Sequence, residues 1–378
     1  MKWANPHYVV SSTIPSCNRK AKVKSPYNYI FFLFHCAVVF PVTNCSRTDQ
    51  RFGVINSILS LISIVITIAE IGATGYILNE TVFKSDYLDP VDLSLIIMYV
   101  VTILHRCMLI LKLEKMKRIA LLLDRFETCN KSSRSGFAFL VVVAVLSQMI
   151  LQLYTFFKKR DRLDMSPIKI EIDFGHQYHN GAPLFYNGSM LLFGKLPIIA
   201  FNFYYIAASN NLRRIILNFS AELTSGQVQN YETLRQSFGS IRSAVELTDK
   251  EIGIFVFLAI MYDFCVMLLA LYVFLQSFAL DDLYGRLIVY FHAFIAFSVL
   301  ILMTWAASKV AEASNEVSSS AWNMPERKGN SISSQQRLIM YLEKETHLTL
   351  WGITPMKRSF IFGVVGAIFT YILMIYTL

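Results

Sequence analysis

The sequence is short of charge and of every arrangement of cysteine that carries structure or metal. Asp, Glu, Lys and Arg make up 16% of 378 residues, whereas 54% are apolar. A soluble domain needs more charge than that to hydrate its surface, so a soluble enzyme and a disordered chain are both excluded. Six cysteines (Cys17, Cys36, Cys45, Cys107, Cys129 and Cys265) are too few and too scattered for a secreted disulfide framework. None forms a CxxC or a Cys/His pair with zinc spacing, and no nucleotide-binding motif is present, so neither a metal nor another cofactor is expected.

What the chain has instead is long apolar runs. Seven of them, 54–78 (S1), 91–111 (S2), 137–157 (S3), 184–209 (S4), 252–280 (S5), 287–310 (S6) and 360–378 (S7), are each about long enough for a helix to cross a bilayer. An earlier run, 29–42, ends in Phe40-Pro41 and is too short to span. It is expected to be a re-entrant or interfacial helix, a reading preferred to a signal peptide because no small-x-small cleavage site follows it. The fold class is therefore an all-α membrane protein with seven transmembrane helices.

The formal net charge of +9 reflects topology, because cytoplasmic loops retain Lys and Arg during insertion. The amino-terminal segment and the S2–S3, S4–S5 and S6–S7 connections, Lys309 at the edge of S6 included, hold 26 of the 35 Lys and Arg. The alternate connections hold seven. This places the amino terminus inside and the carboxyl end outside, and no nucleic-acid partner is needed to explain the basic balance. On the same map the sequons at Asn79 and Asn187 face outward as glycosylation candidates, while those at Asn44, Asn130 and Asn218 face inward.

The expected organisation is a cytoplasmic amino-terminal segment over 1–53, S1–S4 over 54–209, a cytoplasmic helical extension over 210–251 and S5–S6 over 252–310. A cytoplasmic loop with an amphipathic helix follows over 311–355, then S7 over 356–378. Leu212, Ile215, Ile216, Phe219 and Leu223 continue S4 at helical spacing, and Leu234, Phe238, Ile241 and Val245 lead into S5 in the same way. Ser333-Ser334-Gln335-Gln336 fits a capping box, and Leu338, Leu342 and Leu350 mark the amphipathic helix that it opens.

Ionisable groups inside a span are costly and stand out for that reason. His105 and Arg106 lie near the inner end of S2, where snorkelling to the headgroups accounts for them. Lys195 in S4 and Asp263 in S5 fall near mid-span and read either as a neutralising pair or as ligand contacts. With Tyr99 of S2, Gln148, Gln152 and Tyr154 of S3, and His292 of S6, they suit an outward-opening cavity for a small amphiphilic molecule. In S7, Gly363, Gly366, Thr370, Met374 and Thr377 recur at three- and four-residue spacing. This puts small and hydroxyl-bearing groups on one face, which fits either a narrow pore axis or close helix packing.

The carboxyl-terminal residues resemble a known signature. Trp351-Gly352-Ile353-Thr354-Pro355-Met356-Lys357-Arg358, then Gly363 and Gly366, then Thr370-Tyr371 followed by an apolar run to Leu378, are similar to the last segment of the insect gustatory receptor family. Thr377 stands where that family usually has Gln and Leu378 where it has Phe. The resemblance implies a tetrameric ligand-gated cation channel, homomeric or formed with related subunits, in the plasma membrane of chemosensory cells. Four S7 helices would surround the pore, and a cytoplasmic anchor would hold the subunits together. It also implies a small-molecule tastant, and that Met374, Thr377 and Leu378 form or adjoin a constriction near the outer mouth. Ile372 occupies the place where sugar-sensing members carry Glu, which favours a bitter or other small ligand over a sugar.

Two other classes share the helix count. A G-protein-coupled receptor has an outside amino terminus, an Asp-Arg-Tyr after its third span and an Asn-Pro-x-x-Tyr in its last, and this chain has none of these. A transporter or membrane enzyme is disfavoured by the lack of repeated halves and of a catalytic cluster.

Overall fold

The computed structural model describes residues 90–126, 194–224, 230–275, 283–324 and 332–377. It also describes Tyr27, Ile30, Phe31, Phe34 and a few positions between 65 and 75. Helix α1 is Pro90–Phe126, α2 Leu196–Thr224, α3 Tyr231–Leu275, α4 Leu283–Trp322 and α5 Ile332–Leu342. The strands β1 (Thr349–Leu350) and β2 (Thr354–Pro355) follow, then α6 (Ser359–Thr377). These helices correspond to S2, S4, S5, S6, the amphipathic segment and S7. S1 is helical at the positions described, and S3 lies outside the described residues. By length and composition α1, α3 and α4 each contain a stretch able to cross a membrane.

Helices α1 to α4 each run well beyond one end of the apolar segment that announced them. Pro197 enters at the head of α2, where its missing N–H breaks no intrahelical bond. Asn230 caps α3, its side-chain oxygen accepting from the Glu232 backbone N–H at 3.2 Å, and the helix then runs 45 residues without interruption. The extension of α1 to Phe126 was not expected, since the S2–S3 connection shows no run of its own. It is held by burial of Leu113, Met116, Ile119, Ala120 and Leu123 at helical spacing.

One core joins these pieces. α2 packs most extensively on α4, and α3 on α1, while α2 and α3 meet over a shorter stretch. Tyr27, Ile30 and Phe34 share one helical face and are buried against α2. There Tyr27 lies 5.7 Å from Tyr204 and accepts a bond from Asn211 at 3.0 Å. The early apolar run is thus already helical at Tyr27 and packs on protein at these positions. Beyond the apolar segments, Phe219, Phe238 and Tyr341 stack in series and join α2, α3 and α5.

Two expectations change here. The amphipathic helix ends at Leu342, so Leu350 does not belong to it. Tertiary hydrogen bonds draw the following segment out straight: Thr346 N–H donates to Ser314 Oγ at 3.1 Å, and Thr349 donates to Asp249. The all-α class gains one small addition, an antiparallel ladder in which Thr349 pairs with Pro355 and Leu350 with Thr354, and the described elements are otherwise helical.

Candidate pore helix and ligand cavity

Among the described residues, helix α6 packs on the core along one stripe. Phe360, Val364 and Ile368, four residues apart, pack partly on the core. Phe362 is 76% exposed, and Val365, Phe369, Leu373 and Met374 are exposed with it. Gly363, Gly366 and Thr370 are exposed as well, and a side chain added at either glycine would meet nothing within 4 Å. The Thr370 hydroxyl donates to Gly366 C=O at 2.9 Å, a bond within the helix that satisfies it without a partner segment. Thr377 is the last residue of the helix, and Leu378 lies outside the described residues.

Basic residues flank the root of α6. Arg358 reaches Glu312 of α4 with two nitrogens, at 2.7 and 2.9 Å, and Lys357 reaches Glu345 at 3.1 Å. These pairs offset the cost of placing positive charge beside a helix amino terminus.

Four of the residues expected to line a ligand cavity fall among the described residues. Tyr99 of α1 is half-buried, and Asp263 of α3 is 4% exposed. Tyr262 is an electrostatic neighbour of both. Lys195 sits half-buried in a π-type turn ahead of α2, and His292 is half-buried on α4. Gln148, Gln152 and Tyr154 lie outside the described residues, as do Asn79 and Asn187.

The expected Lys195–Asp263 pair does not form: the ion pairs of the described residues do not include it, and Asp263 Oδ2 is buried without a hydrogen bond among them. The cause is the packing order. The two residues were expected to face each other across S4 and S5, yet these helices take their main contacts from S6 and S2 instead.

His105 and Arg106 also depart from expectation. Both are 0% exposed, so neither snorkels. The His105 ring stands edge-on to Phe201 at 5.3 Å and to Phe255 at 5.8 Å, which closes the interior where α1, α2 and α3 meet. Their depth along S2 pointed to the headgroups, and only the third dimension shows that this face of the helix looks inward.

The comparisons with known proteins agree with this architecture. Residues 209–378 match the family described as Trehalose receptor. Those residues, somewhat under half of the chain, are similar to this family of insect gustatory receptors. The family is one of membrane chemoreceptors and not of enzymes, and the chain is a multi-pass membrane protein. No curated protein matches it in sequence. The structure of the insect olfactory receptor OR5 from Machilis hrabei is similar with a TM-score of 0.60 at 11% identity, covering 93% of this chain and 99% of that one. The same receptor in complex with eugenol gives 0.66 at 12% identity, covering 93% and 98%. At such identity the likeness carries the fold alone: the chain is an all-helical membrane protein with an olfactory-receptor-like fold.

Proposed function

We propose that the chain is one subunit of a tetrameric ligand-gated cation channel in the plasma membrane of chemosensory cells, opened by a small tastant from the outer side. It crosses the membrane seven times, with the amino terminus inside and four copies of α6 lining the pore. The observation that carries this reading is the exposure of α6: an apolar helix with Gly363, Gly366 and Thr370 along one face leaves that face exposed, and Phe362, Val365 and Phe369 with it. Several copies around an axis would cover it. Met374 and Leu378 then form an apolar ring that holds the pore closed by dewetting, and Thr377 offers hydroxyls to a hydrated cation.

The ligand enters the cavity near Tyr99, Lys195, Asp263 and His292, completed by Gln148, Gln152 and Tyr154 of S3. A small organic ligand is supported by the similar olfactory receptor, which has been solved with eugenol. The matching family bears the name of a sugar receptor, but Ile372 replaces the acidic residue of sugar-sensing members, so a bitter or other non-sugar compound is the expected ligand. Whole-cell recording in a non-native cell tests the pore. Met374→Ala or Leu378→Ala should raise basal current, and Thr377→Cys should be blocked by a thiol reagent added outside. Unchanged leak and an unmodified cysteine in surface-confirmed protein would remove α6 from the pore.

A further inference from the structure

The root of α6 is tied to α3 by a joint that the channel reading does not use. Asp249, Gly253 and Phe257 recur every four residues and so share one face of α3. The Asp249 carboxylate accepts from the Thr349 backbone N–H and from its hydroxyl, each at 2.6 Å. The same Thr349 oxygen accepts from Gly352 N–H at 2.8 Å, so a single carboxylate holds both the first strand and the turn that follows.

That turn is strained. Ile353 N–H bonds Leu350 C=O at 2.9 Å across Trp351 and Gly352, whose φ angles are 51° and 71°. Two successive left-handed residues make a tight hairpin turn that usually takes Asn-Gly, and a bulky tryptophan in the first place is uncommon. Its ring stacks against Phe257 at 5.3 Å, and its backbone lies directly over Gly253. A Cβ at Gly253 would stand 3.3 Å from Trp351 Cα and 3.4 Å from its nitrogen.

The exit from the hairpin is fastened too. Met356 is buried, its N–H bonds Leu348 C=O at 2.9 Å, and its sulfur accepts from the Tyr205 hydroxyl of α2 at 3.2 Å. Phe360 N–H already bonds Lys357 C=O at 3.0 Å, so no slack separates the hairpin from α6. At the far end, Asp263 lies on the same unbroken helix as Asp249, roughly 21 Å away at 1.5 Å per residue. A helix moved at the cavity therefore moves the hairpin with it.

Resting on the pore reading above, we propose that the β1–β2 hairpin is the lever by which α3 sets the position of α6 and its gate, with Asp249, Gly253 and Thr349 as positioning residues. A closed apolar ring depends on the placement of each helix root, so displacement of the hairpin from α3 opens it. Glycine wedges supply the test and its control. Gly253 lies beneath the hairpin, whereas Gly239, also on α3, lies beneath Tyr341 of α5, whose hydroxyl would stand 3.2 Å from a Cβ added there. Changing Gly253 to Ala, Val and Leu should raise basal current per surface channel in that order. The rate at which a charged methanethiosulfonate modifies Thr377→Cys from outside should rise with it, by at least about fivefold for Leu. Thr349→Val, which removes both hydroxyl bonds without touching the helix surface, should shift both readouts the same way, and Thr349→Ser should restore them. The matching Gly239 series should lower surface number and leave gating per channel unchanged. If Met374→Ala leaks while the Gly253 and Thr349 variants gate like wild type, the lever is overturned and the pore stands. If Met374→Ala does not leak and Thr377→Cys is unmodified, the pore reading itself fails and takes the lever with it. Variants that never reach the surface while the Gly239 controls do would assign the hairpin to assembly and equally overturn the proposal.

Discussion

The extension of α2 and α3 beyond their apolar segments and the helix α6 are built from similar residues and treated in opposite ways. In the first, Phe219, Leu223, Leu234, Phe238, Ile241 and Val245 are buried, and each helix has neighbours from its own chain. In α6, Phe360, Val364 and Ile368 are half-covered, while Phe362, Val365 and Phe369 are exposed. The fold covers the first region within the chain and leaves much of the second exposed. With α6 lining a pore among several copies, as proposed above, stability and assembly are written in different residues, and substitutions should separate them.

The largest separation is expected between two phenylalanines. Phe238→Ala removes a buried ring that packs between Phe219 and Tyr341 and should cost about 3 to 5 kcal/mol, read as a lower melting temperature and loss of surface protein. Phe362→Ala should leave melting of the single subunit nearly unchanged and weaken only the assembly, read by size in mild detergent. Equal effects of the two would erase the distinction.

A smaller loss is expected at Arg242, which is buried, donates to Lys344 C=O at 2.6 Å and lies over the Tyr341 ring at 5.4 Å. Its replacement by Ala should cost about 1.5 to 3 kcal/mol, because a charged hydrogen bond and a ring contact are lost together.

The joint between the regions should respond to pH. Burial holds the Asp249 carboxyl above its usual range, outweighing the two bonds from Thr349 and the nearby His347, which lower it. A raised carboxyl favours the folded state at low pH: its contribution is complete below the usual aspartate range and is lost as pH rises through the raised value. Amide exchange across 345–356 should therefore speed up from acid toward neutral pH more steeply in wild type than in Asp249→Asn, beyond the intrinsic rate change. Matching slopes would show that the carboxyl is not titrating there.

The smallest effect is expected at Arg358, whose pairing with Glu312 is exposed to solvent on both sides. Arg358→Ala should cost under about 1 kcal/mol and lose even that at high salt.

Where the sequence read well, the signal was local and repeated. Phe219, Leu223, Leu234 and Phe238 announced helices beyond the apolar segments because burial on one side imposes a helical period, whatever the partner. Where it failed, the deciding interaction came from far along the chain. Leu350 kept the period of the amphipathic helix, but Asp249, a hundred residues earlier, pulled that stretch into a hairpin. The Trp351-Gly352 turn itself carried a signal, since a glycine following a bulky residue before Thr-Pro marks a break, but not the aspartate that holds it.

Composition, apolar run length and the placement of Lys and Arg determined the membrane class, the expected number of crossings and the expected orientation. These depend on transfer between water and lipid, which each segment meets independently of the others. Which faces of those helices look inward was decided only by tertiary packing. His105 and Arg106 went into the core, Lys195 and Asp263 did not pair, and α6 kept its apolar face open. A single chain's period fixes that a helix has a face to bury, and only the neighbouring helices determine what lies against it.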